Sequence, residues 1–592
     1  MSNLKYRPDI DGLRAIAITL VLLYHADLWN VNGGYIGVDV FFVISGFLIT
    51  SLILKDLQYG TFSFFDFWER RIRRILPALG VVTLFTLVAG WFIFLPEDYA
   101  TLGKQAASQT VFSSNILFYT MSGYFAAENS TKPLLHTWSL AVEEQYYFII
   151  PLLLVILFAK LRLRMQTVLL AIMIVSFAAS VWAVKYYPDA AFYLLPFRSW
   201  EMLVGSLLAF HGNRESRYNR GWRAETLATL GFMAIVAAGM LYTPKTSFPG
   251  VAALVPCLGA AMIIYANGMG GKTLVGRFLS SKPLVFIGLI SYSLYLWHWP
   301  LLMFAEYLPV IELRSLHKLG LLLISGILAY LSWRYVEQPT RRKSLNKTND
   351  RASIYTYAGG GLALIALISI GIVVLKGIPQ RWSAQELQYA EGAKDINYSR
   401  WKCEKSPEDI KSAKLCTTSQ DLKTDPAFIL WGDSHADAWV PGFEYLSQKY
   451  RVNGYQATLH SCPPLLDLDK KGSTQCEKQN AAVLELIKSH KIKNVFLVAN
   501  WTGWLDSSQL FFTTDAWYKK SYDKKFDDIK IAALQRTIDT LRAEGANVYI
   551  LVNNARMPFD PPRTLALQNI FTKRRRFQLT LLKRSGKRQS IF

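Results

Sequence analysis

The sequence predicts a polytopic α-helical membrane body of eleven spans followed by an α/β doubly wound domain on the far side of the bilayer. Three observations predict it. Apolar runs long enough to cross a hydrocarbon core of roughly 30 Å recur between residues 13 and 375. The loops between these runs collect Lys and Arg alternately. The rest of the chain ends a buried-strand pattern in the turn Gly432-Asp433-Ser434-His435.

The spans fall at residues 13–29, 34–54, 75–95, 138–158, 167–186, 192–211, 225–243, 248–265, 283–305, 316–336 and 355–375. A further apolar stretch, 101–121, carries Lys104, Gln105, Ser108, Gln109 and Asn115 and is rejected as a free-standing span. Alternate loops are basic: Lys5, Arg7 and Arg14; Arg70, Arg71, Arg73 and Arg74; Lys160, Arg162 and Arg164; Arg214, Arg217, Arg220 and Arg223; Lys272, Arg277 and Lys282; Arg334, Arg341, Arg342 and Lys343. The positive-inside rule then places the N-terminus in the cytoplasm, and an odd number of crossings places residues 376–592 outside. These loops account for much of the net charge of +22, so no nucleic-acid partner is expected. The first apolar run lacks a small-residue cleavage pattern and is read as a span, not as a signal peptide.

Four of the five cysteines, Cys403, Cys416, Cys462 and Cys476, lie in the last third of the chain, as suits an oxidising exterior. Of three connectivities, the local bridges Cys403 to Cys416 and Cys462 to Cys476 are favoured. Zinc is the alternative, but no CxxC pair is present and no metal is expected.

Ionisable residues within spans each ask for a partner or a task. Arg14 and His25 stand eleven residues apart, about three helical turns and a rise of roughly 16 Å, so they share one face of the first span with His25 near mid-membrane. An imidazole there is either a satisfied interior histidine or a base and transient acyl acceptor. Arg71 and Arg74, three apart in a basic cluster, either anchor the inner surface or grip a polyanionic donor with guanidinium forks. Asp39, His136, Glu143, Tyr292 and His298 mark a polar path, against aromatic-belt and interfacial roles that explain part of the pattern. Arg198 and Glu201, at i and i+3, read as a neutralising structural pair.

Five motifs in order resemble the acyltransferase-3 family of membrane acyltransferases. They are Arg14 with His25, Gly37-Val38-Asp39-Val40-Phe41-Phe42-Val43-Ile44-Ser45-Gly46-Phe47, Arg71-x-x-Arg74-x-x-Pro77, His136 through Gln145, and Tyr292 through His298. The resemblance covers roughly residues 5 to 345, and it implies a domain of residues 1–345, then a linking span within 346–380. It also implies an acyl group, acetyl by preference, taken from cytoplasmic acyl-CoA, with His25 essential and Arg14, Arg71 and Arg74 near the donor. Acetyl-CoA is then a substrate, and no bound cofactor is expected.

After a polar linker, 381–425, residues 426–592 alternate strand and helix: strands at Phe428–Trp431, Val495–Ala499 and Val548–Val552, helices over 436–449 and 529–544. Ligands of such sheets bind beyond the carboxyl ends of strands, where Ser434 and Asn500 fall. The short Gly-Asp-Ser motif in that place resembles the SGNH (GDSL-like) domain. That likeness implies Ser434 as nucleophile, with its own backbone N–H and Asn500 as oxyanion donors. Two departures stand out. Val498-Ala499-Asn500-Trp501 does not give the usual Gly-x-Asn-Asp, and no histidine follows His490, so the Asp-x-x-His base of the pattern is absent. Residues 571–592 hold eight Lys or Arg and no acid, an ending read as truncated or frame-altered. His435, His460 and His490 are candidate substitutes, against the commoner reading of solvated surface histidines.

The combined arrangement is similar to bacterial inner-membrane enzymes that O-acetylate surface polysaccharide, notably lipopolysaccharide O-antigen, with the C-terminal domain periplasmic. Peptidoglycan is the alternative acceptor. A transporter with a glycan-binding outer domain and an exoplasmic esterase are the rival readings.

Overall fold

The computed structural model describes residues 6–122, 129–161, 164–210, 221–268, 273–308, 313–341, 349–395, 397, 400–419, 421, 424–470, 475–505, 510–512, 526–552 and 560–571. Lys5, Arg162, Arg214, Arg217, Arg220, Lys272, Arg342, Lys343 and the basic tail beyond 571 lie outside the described residues. The chain divides into two compact units, Met1–Ser383 and Ala384–Phe592.

The first unit is helical. Its helices are α1 (Pro8–His25), α2 (Gly37–Gln58), α3 (Phe64–Ile93), α4 (Pro96–Thr110), α5 (Ser114–Thr120), α6 (Thr137–Leu161), α7 (Met165–Tyr186) and α8 (Pro188–Tyr193). Then come α9 (Leu195–Ala209), α10 (Gly221–Leu241), α11 (Leu254–Gly268), α12 (Leu274–Leu279), α13 (Lys282–Tyr307), α14 (Ser315–Ser332), α15 (Gln338–Arg341) and α16 (Asn349–Val374). Nine segments among the described residues are long and apolar enough to cross a membrane. The other two expected spans are also helices, but α1 carries Asp9, Asp11 and Arg14 in its first half and α9 has only 15 residues. The rejected stretch 101–121 breaks at Val111 into α4 and α5. Its polar side chains are tied down inside the unit: Gln105 Nε2 donates to the Thr131 carbonyl at 3.2 Å and Gln109 Nε2 to Thr83 Oγ1 at 2.8 Å.

Close helix approach sets the register of the bundle. A Cβ on Gly288 of α13 would stand 1.9 Å from the Asp11 carbonyl of α1, and one on Gly46 of α2 would stand 1.8 Å from the Met202 carbonyl of α9. Farther along the same pairs, His25 meets His298 and Thr50 meets Ser206. Residue numbers rise together in both, so α1 runs parallel to α13 and α2 to α9. In the eleven-span order these are the first and ninth crossings and the second and sixth, whose parities agree. Counting 101–121 as a span would make each pair antiparallel.

The linking helix α16 belongs to this unit, where Ser369 packs on Gly103 of α4. Arg381 follows it and reaches back to the carbonyls of Gly90, Trp91 and Phe94, with its guanidinium 4.5 Å from the Tyr99 ring centre. Burial lowers this guanidinium to about 10, still cationic at neutral pH.

The second unit holds a five-stranded sheet and a two-stranded one. The strands are β1 (Cys416–Thr417), β2 (Phe428–Gly432), β3 (Gly454–Thr458), β4 (Leu468–Lys470), β5 (Asn494–Val498), β6 (Leu510–Phe512) and β7 (Asn547–Leu551). The larger sheet has the order β1-β3-β2-β5-β7, parallel except for β1. Register puts Gly432 opposite both Thr458 and Val498. The central strand β2 is buried throughout, Ile429 and Trp431 in one core cluster and Leu430 in another, as a parallel strand covered on both faces requires. Two differences from expectation concern the sheet. The 381–425 segment is not all linker, since β1 pairs with β3. Strand β3 itself, Gly-Tyr-Gln-Ala-Thr, has no apolar run to betray it, because Gln456 is buried by hydrogen-bonding Asp437 and Thr458.

Candidate functional site

In the first unit a cavity of about 1100 Å³ opens between α1, α2, α3, α6, α12 and α13. Arg14, Arg71, Arg74, Glu143 and Tyr292, chosen from sequence, all line it, together with Arg7, Arg277, Asp9 and Asp11. The carboxylates are largely engaged. Arg7 holds Asp9 at 2.7 Å, Arg14 approaches Asp11 at 3.6 Å, and Tyr6, its phenol pushed up to about 12 by burial and this bond, donates to Asp11 at 2.7 Å. Glu143 accepts from Ser45 and Tyr147. Arg71 and Arg74, by contrast, have no carboxylate partner among the described residues. Arg71 is buried, its guanidinium 5.8 Å from the Tyr147 ring centre and its Nε without a hydrogen bond. Two guanidinium groups, that of Arg71 buried, thus face the cavity without an ion pair among the described residues, with Glu143 and the buried Glu144 close enough to act on Arg71 electrostatically.

At one wall of this cavity stand Ser139 and Tyr295, whose hydroxyls are 2.8 Å apart. The Tyr295 ring also contacts His136 at 5.3 Å and His298 at 5.5 Å between ring centres. His298 in turn meets His25, Nδ1 of His25 lying 2.9 Å from Nε2 of His298. Sequence position thus assembles three histidines from α1, α13 and the residue preceding α6. His25 is the last residue of α1, not an interior one as its place in an apolar run implied, because the chain turns at Asp27.

Asp39 lies elsewhere, and the expected polar path loses it. Its carboxylate is 3.1 Å from Arg198 Nη1, which also holds Glu201 at 2.7 Å, all three at most 1% exposed. Arg198 is ringed by Phe42, Trp138, Phe192 and Phe248 at 5.5 to 5.7 Å. Asp39, Glu201 and Cys257 come close enough together for a metal, and the Arg198 guanidinium supplies one positive charge beside the two carboxylates. The i,i+3 spacing revealed half of this knot; nothing in the sequence joins Asp39 to it. Ser45, Tyr147, Ser139 and Tyr295 were not singled out either. The only signals were their places inside the quoted motifs and the i,i+4 spacing of Tyr147 from Glu143.

In the second unit Ser434 begins the helix Ser434–Tyr450 at the end of β2. Asp433, 1% exposed, shapes this turn: Oδ1 accepts from the His435 backbone at 2.7 Å, and Oδ2 from the Asn500 backbone at 2.9 Å and Trp504 Nε1 at 2.6 Å. Asn500 therefore spends its backbone N–H on Asp433, and its side-chain Oδ1 accepts from the Gly503 backbone at 3.2 Å. A Cβ at Gly432 would stand 1.6 Å from the Val498 carbonyl, so only glycine fits beside β5. Ser434 is half-buried, and among the described residues no histidine hydrogen-bonds to it. His460 pairs with Glu404 at 2.9 Å and His490 with Ser489 at 3.0 Å. The disulfides join Cys403 to Cys416 and Cys462 to Cys476.

The acyltransferase-3 family model, described as an acyltransferase domain, matches residues 7–334. The chain belongs to this acyltransferase family. A model for the SGNH domain fused to acyltransferase-3 domains matches residues 402–589. The chain is 32% identical over 391 residues to YrhL of Bacillus subtilis (strain 168), covering 62% of this chain and 60% of that one. It is 29% identical over 403 residues to the O-acetyltransferase OatA of Staphylococcus aureus (strain MRSA252), 64% of each. It is 33% identical over 357 residues to the peptidoglycan O-acetyltransferase OatA of Listeria monocytogenes, 57% of this chain and 56% of that one. The chain spans about three fifths of the length of the curated relatives it matches. No solved structure matches it.

Proposed function

We propose that this acyltransferase-3 chain moves an acetyl group from cytoplasmic acetyl-CoA to a hydroxyl of a cell-surface polysaccharide. The observation that carries the reading is the cavity itself: Arg71 and Arg74 face it without an ion pair among the described residues, and it reaches, through Tyr295, the rings of His136, His298 and His25. The arginines suit the phosphates of coenzyme A. His25 suits the proton transfer. In the net reaction the thioester C–S bond breaks, an ester C–O bond forms at the acceptor hydroxyl, and that hydroxyl's proton leaves on the CoA thiol, with His25 taking and returning it.

The acceptor is proposed to be peptidoglycan. The sequence motifs point first to lipopolysaccharide O-antigen, but the relatives from Bacillus subtilis and Listeria carry names that refer to peptidoglycan. Ser434 is proposed as the outer acyl acceptor, on a unit facing the periplasm, with N-terminus and basic loops in the cytoplasm.

Proton NMR of purified peptidoglycan and lipopolysaccharide from cells with and without the chain tests this. A chain-dependent O-acetyl signal in peptidoglycan is the expected result. The signal appearing in O-antigen alone overturns the acceptor, and its absence from every polysaccharide overturns the activity.

A further inference from the structure

We propose that His298 is a positioning residue that sets the tautomer of His25, so that Nε2 of His25 is the reacting atom. The inference rests on the acyl-transfer reading for what that nitrogen does, but its geometry stands apart from any donor.

The two rings are inclined by only 7°, with centres 5.2 Å apart and facing nitrogens 2.9 Å apart. Nearly parallel planes with so short an N···N contact and such distant centres describe two rings edge to edge in one plane, not face to face. This is the alignment of a single N–H···N hydrogen bond. The question is which nitrogen owns the proton. The other nitrogen of His298, Nδ1, lies 3.2 Å from the carbonyl oxygen of Leu294, one turn back on α13. A carbonyl only accepts, so Nδ1 of His298 carries a hydrogen.

His298 is fully buried and His25 partly buried. The groups around them are Tyr24, Trp299, His136 and Tyr295, and no carboxylate hydrogen-bonds to either ring among the described residues. An uncompensated imidazolium in such a place is costly, so His298 is neutral. With its hydrogen on Nδ1, its Nε2 is bare and accepts. The shared proton therefore belongs to His25 Nδ1, and the lone pair of His25 Nε2 is left free. When that nitrogen takes a proton from a hydroxyl, the Nδ1–H···Nε2 bond to His298 becomes charge-assisted and steadies the cation. The logic is that of a base oriented by a third group, here an imidazole from a neighbouring helix.

Solid-state ¹⁵N NMR of the full chain in lipid bilayers, with His25 assigned by its loss in His25→Gln, reads the tautomer directly. A protonated Nδ1 and a bare Nε2 are expected; a protonated Nε2 overturns the proposal. In acetyl transfer, His298→Leu is expected to lower kcat roughly 10–100-fold, the usual cost of a lost orienting partner, with the KM for acetyl-CoA unchanged. His298→Gln, whose amide oxygen can accept from Nδ1, is expected to recover most of that loss. Full activity in His298→Leu, or equal losses in both variants at unchanged thermal stability, overturns it. If acetyl-CoA proves not to be the donor, the NMR result still decides the tautomer, so the two readings fail separately.

Discussion

In the proposed function Arg71 and Arg74 hold the donor. A charge-assisted hydrogen bond contributes about 1.5–3 kcal/mol, so Arg71→Ala or Arg74→Ala should raise the KM for acetyl-CoA roughly 10–100-fold. Lysine should rescue poorly at either position, because an ammonium cannot reproduce the planar fork. Arg198 makes the opposite case. Truncating it leaves Asp39 and Glu201 buried without their cation, which costs about 3–5 kcal/mol, so Arg198→Leu should lower the thermal midpoint sharply. A wild-type melting curve would remove its structural role. Both sets of residues were visible in the sequence as charges out of place, yet only contacts sort them. Arg71 and Arg74 keep their charge open to a cavity, whereas Asp39 is neutralised by a residue 159 positions away. Charge in an apolar run shows that a partner is needed and is silent on which one.

Among the helices, the pairing of α1 with α13 positions the histidines, and it depends on Gly288 lying against the Asp11 carbonyl. Gly288→Val should separate the two helices and abolish both acetyl transfer and the His25–His298 hydrogen bond. Gly320→Ala, in open space on α14, should leave both intact and serves as the control. Long helices were legible because an apolar run of about 20 residues has few other uses. The charged first helix and the short α9 were found the same way, although their composition alone would not carry them across a bilayer. Strand β3 and the helix Gln475–Ser489 were missed for a common reason. Each buries polar side chains in specific hydrogen bonds, Gln456 on Asp437 and Asn480 on Trp431, and so imitates a loop.

Over the whole molecule, the parallel sense of α1 with α13 and of α2 with α9 agrees with an odd number of crossings before the second unit. In the proposed topology, read from the positive-inside pattern, that unit faces outward. Protease added to spheroplasts should therefore digest the Ala384–Phe592 unit and spare the first, and protection until the membrane is breached would reverse the topology. The disulfides fit the same placement. Each closes a loop of 13 or 14 residues, worth about 3 kcal/mol by loop entropy, so reduction should destabilise the second unit and not the first. The reaction centre of that unit was less legible than its fold. The turn at Ser434 follows from Gly432 and Asp433, but a base for the serine does not appear among the described residues.

The most direct measurement is acetyl transfer in proteoliposomes carrying the full chain, with labelled acetyl-CoA on the side of the basic loops and soluble peptidoglycan fragments on the other. Label should appear on the fragments with the unaltered chain and fall to background with His25→Gln, while that variant still binds acetyl-CoA. Undiminished transfer by His25→Gln would contradict the account at its centre.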